Sequence, residues 1–436
     1  MSFVRLGPVM AATFVLLTGL LSLWAQAETA VIVVPDDYAS IQAAIDGASS
    51  GDTIMVRPGV YNESLTLNKA ITLTAELYDA ANPANNGTVI DGGGAAAVIS
   101  IPAGVTPLPV IRGFSIRNGE DGIAPYSPFV VEYGYFSGAS DLIDYEEGSG
   151  GITRYNVFFD ARDDALDLDN QTEALLIEDN RLLYSGQDGI EIRLQDGSAP
   201  AALIDITIRD NVIAGSGEDG IQFIDYPDDP QDTNRRFIIH NNLFANNMMA
   251  GVGLMADTNT NEDYSGADIV EVIWVYNNTF YGNEYGLSGG DNLVSFNNII
   301  VESGTYGVSR VRGGAADDAV VAYTLFYNNG AGSSGADATE SQLGAGNVFG
   351  QDPLLAGPPG PGVDGQMGTV DDDFSGLILT SDSPASDAGV RQYVTAGDQP
   401  VPGSPIDSFV GAAPDLGWQE GVPELDARAW LPVVWR

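Results

Sequence analysis

An internal repeat constrains this chain more than any other feature. Between about residues 110 and 330 a degenerate unit of roughly 20 to 35 residues recurs, and each copy has two parts. The first is an alternating strand that ends in an asparagine, at Asn156, Asn180, Asn211, Asn242, Asn278 and Asn298. The second follows eight or nine residues later and joins a small residue to an aliphatic one. The small residues are Ala165, Gly189, Gly220, Gly251, Gly286 and Gly307; the aliphatics are Leu166, Ile190, Ile221, Val252, Leu287 and Val308. Strands of period two that repeat in this way stack with one column buried. A Gly or Ala before that column marks a tight bend where neighbouring backbones approach. The recurring asparagine suits a ladder of stacked side-chain amides at a turn. Helical periodicity is missing from the region, which excludes the helix-based solenoids. The expected fold is all-β: a single-stranded, right-handed parallel β-helix.

A stack of open coils needs capped ends, because its terminal strands expose unpaired edges and apolar faces. Ile41, Ala44, Ile45 and Ala48 recur at helical spacing, and the run from Gly51 to Leu67 reads as a turn and two alternating strands. The whole segment from Ser40 to Leu67 resembles the opening of pectin-lyase-like β-helix proteins, in which a short helix plugs the barrel end. The stretch from Asp352 through Asp373-Phe374 to Trp418 looks like the irregular C-terminal cap of many bacterial β-helix proteins. The resulting organisation is a signal peptide over 1–27, an N-terminal cap and first coils over 28–110, the repeat core over 111–330, C-terminal coils and cap over 331–424, and an apolar, aromatic tail over 425–436.

Arg5, an apolar run from Val9 to Trp24 and the sequence Ala25-Gln26-Ala27 form an export signal, with cleavage expected after Ala27. The run is short for a bilayer and no later stretch could span one, so a secreted or cell-surface protein is expected, without a membrane span after cleavage. The chain has no cysteine, and its stability must therefore come from packing and backbone hydrogen bonds. Sixty acidic residues stand against seventeen basic ones, Lys69 being the sole lysine, for a net charge of −43. Such a chain cannot neutralise phosphates, which excludes nucleic acid and anionic lipid as partners. It can hold divalent cations, and through them an acidic polymer. A monomer is favoured.

Residues one and three places past the buried aliphatic should point outward and stack into two solvent-facing columns. The first reads Asp144, Asp167, Glu191, Gln222; the second reads Glu146, Asp169, Arg193, then Ile224. Five carboxylates on three adjacent coils, spaced by about 4.8 Å, repel one another unless something positive intervenes, and Ca2+ is the simplest remedy. Pectate lyases are similar here: they carry acidic residues on the outward face of neighbouring strands, bind Ca2+ with them and abstract a sugar proton with a nearby arginine. The resemblance implies Asp167, Asp169 and Glu191 as calcium ligands, Asp144 and Glu146 as further ligands, and Arg193 as the base. Tyr126, Tyr145 and Tyr226, with Gln222, flank the columns as candidate sugar-binding groups.

Other signatures are incomplete. The WiDH segment of the main pectate lyase families is absent, and the Arg-Pro dipeptide familiar in them is missing from the acidic columns. Asp163-Asp164 matches the paired aspartates of polygalacturonases without their GHG and RxK signatures, and Asp229-Pro230-Gln231-Asp232 matches the DPxD of alginate epimerases without the neighbouring histidine. Asp121, Asp164, Asp188 and Asp219 precede the small-residue column and read as turn or ladder residues, His240 as an ordinary strand residue, and Asp364 to Asp373 as a Gly/Asp-rich surface loop. The expected function is a secreted, Ca2+-dependent lyase cleaving an acidic, uronate-containing polysaccharide by β-elimination. The alternative is a non-catalytic surface or matrix protein that binds polysaccharide or cells through its solenoid face.

Overall fold

The structure, a computed structural model, describes residues 29–168, 172–194, 202–226, 233–256, 264, 267, 269–290, 292–310, 319–335, 343–394, 406 and 408–420. The expected signal peptide, Asp169, the Asp229–Asp232 motif and the C-terminal tail lie outside the described residues. Among those residues no helix is long and apolar enough to cross a membrane.

Every pairing between named strands is parallel, and the chain winds as a β-helix with three stacks of strands. One stack is a 12-stranded sheet that begins at Val31–Val34 and ends at Val320–Ala322, each strand pairing with the equivalent strand of the next coil. A second runs through Tyr135–Ser137, Val157–Phe159, Arg181–Leu183, Val212–Ala214, Leu243–Ala245, Thr279–Tyr281, Ile299–Val301 and Leu325–Tyr327. The third contains the aliphatic column, with Ile143, Leu166, Ile190, Ile221, Val252, Leu287 and Val308 in register. All seven are fully buried.

The corners explain why these residues repeat. Between the first and second stacks the chain turns through one residue with a positive φ, at Tyr155, Asp179, Asp210, Asn241, Asn277 and Asn297, and the next residue is a ladder asparagine pointing inward. From Asn180 onward, each ladder Oδ1 accepts the backbone N–H and the side-chain amide of the asparagine one coil before it, as in Asn180 to Asn211 at 2.9 and 3.1 Å. Each Nδ2 also donates to a strand carbonyl, as Asn211 does to Ile177 at 3.0 Å. The polar groups of a buried turn are thus bonded without water. Inside, phenyl rings stack coil on coil, Phe136 on Phe158 and Phe244 on Phe280, with centroids 4.7 and 4.8 Å apart. The small residues at the bend into the third stack are required sterically: a Cβ on Gly220 would come within 2.6 Å of the Gly251 carbonyl oxygen.

The N-terminal helix, Ile41–Gly47, buries Ile41, Ala44 and Ile45 against the first coil. Residues of the turns that follow cap both its ends. Glu63 accepts the N–H groups of Ile41 and Gln42, and Lys69 Nζ donates to the carbonyls of Ile45, Asp46 and Ala48. The irregular C-terminal segment folds back along the flank of the coils. Phe374, Leu377 and Trp418 cover Leu183, Val212 and Leu243 on the second stack, while Val390, Tyr393 and Ile406 cover Trp274, Tyr276 and Phe296 on the first.

Candidate functional site

The acidic residues meet at the bend between the second and third stacks. Two places before the buried aliphatic stand Asp121, Asp141, Asp164, Asp188 and Asp219, one per coil. They form a ladder of their own: Oδ1 of Asp164 accepts the Asp188 N–H at 2.7 Å, and Oδ1 of Asp188 accepts that of Asp219 at 2.7 Å. The ladder ends on Asp219, whose Oδ1 receives the Ala250 N–H and the Tyr264 hydroxyl, both at 2.6 Å. The ladder reading of these aspartates agrees with this bonding, yet it leaves their charge unaccounted for.

One place after the aliphatic, Asp144, Asp167, Glu191 and Gln222 stack in the expected register. Three of the four are not solvent-facing, which corrects the expectation: Asp167, Glu191 and Gln222 are 6, 7 and 2 % exposed, while Asp144 is half-buried. The tight Gly/Ala bend folds the aspartate ladder and this column around one bay, so oxygens of Asp164, Asp188 and Glu191 lie within 4.8 Å of one another. Oxygens of Asp141, Asp163 and Asp164 form a second group of the same size. Burial, together with the neighbouring aspartates, pushes Asp121 up to about 6. Burial raises Asp141 to about 6 despite the N–H it accepts, and raises Asp164 well above the ordinary carboxylate range, with the Glu191 charge adding to it.

Arg193 lies across this bay. Its Nη1 donates to Asp167 Oδ2 at 2.9 Å, and Nη2 pairs with Glu191 Oε1. Two carboxylates thus hold the guanidinium that the resemblance implies as the base. Glu146 stands apart from both carboxylate groups and accepts the hydroxyl of Tyr126 at 2.6 Å, a bond that helps push that phenol up to about 12. Tyr126 is 39 % exposed and open to a ligand. Tyr145 is not, contrary to expectation: it is wholly buried against Phe129, with its hydroxyl bonded to Thr153. Tyr226 is half-buried and packs beside Ile224, Met255 and Tyr264.

The donor set suits a hard divalent ion. It is all carboxylate oxygen, and Asp163 Oδ1 is buried without a hydrogen-bond partner among the described residues. Of the expected ligands among the described residues, only Glu191 belongs to a compact group; Asp141, Asp163, Asp164 and Asp188 are not among the expected ones. The signal that could have found them is the aspartate two places before each aliphatic, which the ladder reading absorbed. Asp371 and Asp372 accept bonds from Val363, Asp364, Gly368 and Thr369, and His240 stacks on Tyr276, its burial lowering the imidazole to about 4.

No family model matches the sequence, and no curated protein matches it. Solved structures do. Over 90 % of this chain and 97 % of the other, the structure is similar to pectate lyase Pel9A, with a TM-score of 0.55 at 15 % identity. It is also similar to the catalytic unit of a thermostable GH87 α-1,3-glucanase from Streptomyces thermodiastaticus strain HF3-3, covering 75 % of this chain and 70 % of that one, with a TM-score of 0.50 at 14 % identity. At such identity the likeness shows the right-handed parallel β-helix fold.

Proposed function

We propose that this β-helix protein acts on polysaccharide, as a Ca2+-dependent lyase of an acidic, uronate-containing polymer, with the bay from Asp121 to Arg193 as its site. The observation that carries the reading is the Asp141, Asp163 and Asp164 group, three carboxylates gathered on neighbouring coils of a fold shared with a pectate lyase. These three would hold the ion, with Asp144 and Asp167 on the adjoining column within the same bay. When bound, Ca2+ supplies Lewis acidity that makes the proton α to a uronate carboxylate easier to remove. The chain itself orients the sugar. Arg193, with a side chain 31 % exposed, offers positive charge to a substrate carboxylate, and Tyr126 offers an edge at the rim of the bay.

Ultraviolet absorbance of the unsaturated product, followed across a panel of uronate polymers, tests the reading. Absorbance should rise with at least one polymer, stop on chelation, and be lost in Asp163→Asn. Polymer binding without any absorbance change would instead establish the non-catalytic surface protein.

A further inference from the structure

We infer that Arg193 is a resident counter-ion that takes the place of a second divalent cation, so that the bay holds a single ion, at Asp141, Asp163 and Asp164. The inference rests on the cation reading above and deepens it. Two carboxylate groups share Asp164 and are matched in size, yet their charge is met differently. The group made by Asp164, Asp188 and Glu191 already has a cation on it, because the Arg193 guanidinium bonds Glu191 and reaches Asp167 on the coil before. For the group made by Asp141, Asp163 and Asp164, no arginine or lysine forms an ion pair among the described residues, and Arg193 acts on Asp141 only through space, without bonding it. The closest in sequence, Arg162, turns away to Glu120 at 3.7 Å and to the Gly119 carbonyl at 3.2 Å. Asp163 Oδ1, buried and accepting no hydrogen bond among the described residues, belongs to this second group.

A guanidinium suits the task. It is planar, permanently charged and able to bond two carboxylates at once, and it is tethered to the strand, so it does not dissociate at low cation concentration. It also repels a divalent ion brought beside it, which separates the two groups into one that binds metal and one that does not.

Calorimetric titration of Ca2+ alone into the full protein decides the matter. Wild type should take up a single equivalent. Arg193→Gln should gain one further equivalent, and Asp163→Asn with Arg193→Gln should keep only that gained one. Arg193→Lys preserves the charge and should behave as wild type, and it serves if the glutamine variant fails to fold. A glutamine variant with unchanged stoichiometry, a lysine variant that also gains an equivalent, or a wild type that already binds two ions overturns the inference while leaving the cation reading in place. A wild type that binds none while the glutamine variant binds one sinks the site at Asp141, Asp163 and Asp164 and leaves the counter-ion role standing.

Discussion

Asn211 takes part in five side-chain and backbone bonds of the ladder, giving to Ile177 and Asn242 and accepting twice from Asn180. Replacing it with alanine leaves donors on Asn180 and the Ile177 carbonyl buried and unbonded, and should cost roughly 3 kcal/mol or more in chemical denaturation. Asn156, which donates twice to Asn180 but has no ladder asparagine before it, should cost less on the same substitution. A cost for Asn211→Ala below that of an exposed control such as Asn62→Ala would sink the ladder account. This ladder was legible in the sequence because the asparagine ends a strand in every unit. A second ladder at the next turn was not. There Asn247 bonds Asn283 and receives the Ser216 N–H, and Ser303 donates to Asn329. Serine and asparagine share that position in no fixed order, so no single residue type recurs to be noticed.

At the level of the strand stack, the bay joins a ladder to a charge problem. Asp121 and Asp141, both raised to about 6, bind more protons in the folded state than in the unfolded one between about pH 4 and 6. Their contribution to stability is therefore complete below their ordinary range and is lost as pH rises through about 6. With chelator present, the melting temperature should fall between about pH 4 and 6, and Asp141→Asn should flatten the fall. Added Ca2+ should flatten it in wild type as well, since a bound cation favours the ionised acids. Equal slopes with and without Ca2+ would count against an ion at this site. The register of this stack was readable from the position of one aliphatic per coil. The burial of Asp167 and Glu191 was not, because period-two alternation says which side of a strand a residue faces and nothing about how sharply the next bend closes over it.

Across the whole molecule, the C-terminal segment ties together coils far apart in sequence. Arg181 donates to the Asp372 carbonyl at 2.7 Å, and Asn297 exchanges bonds with Val390 at 2.9 Å. Removing the chain beyond residue 351 would uncover Leu183, Leu243, Ile299 and Leu325 on one flank and Trp274 and Phe296 on another. The truncated protein should bind a hydrophobic dye strongly and self-associate in sedimentation, whereas a soluble, dye-negative product would show the segment to be dispensable. The coil itself has one further property. Asn156 to Leu166, Asn180 to Ile190, Asn211 to Ile221 and Asn242 to Val252 are separated by the same number of residues, while successive ladder asparagines are 24, 31, 31, 36 and 20 residues apart. Nearly all of that variation falls after the buried aliphatic, on the return to the 12-stranded sheet, the span from Asn278 to Leu287 being shorter by a single residue. Inheritance can thus lengthen or shorten the return between coils without shifting a single rung, and the scaffold stays as it was.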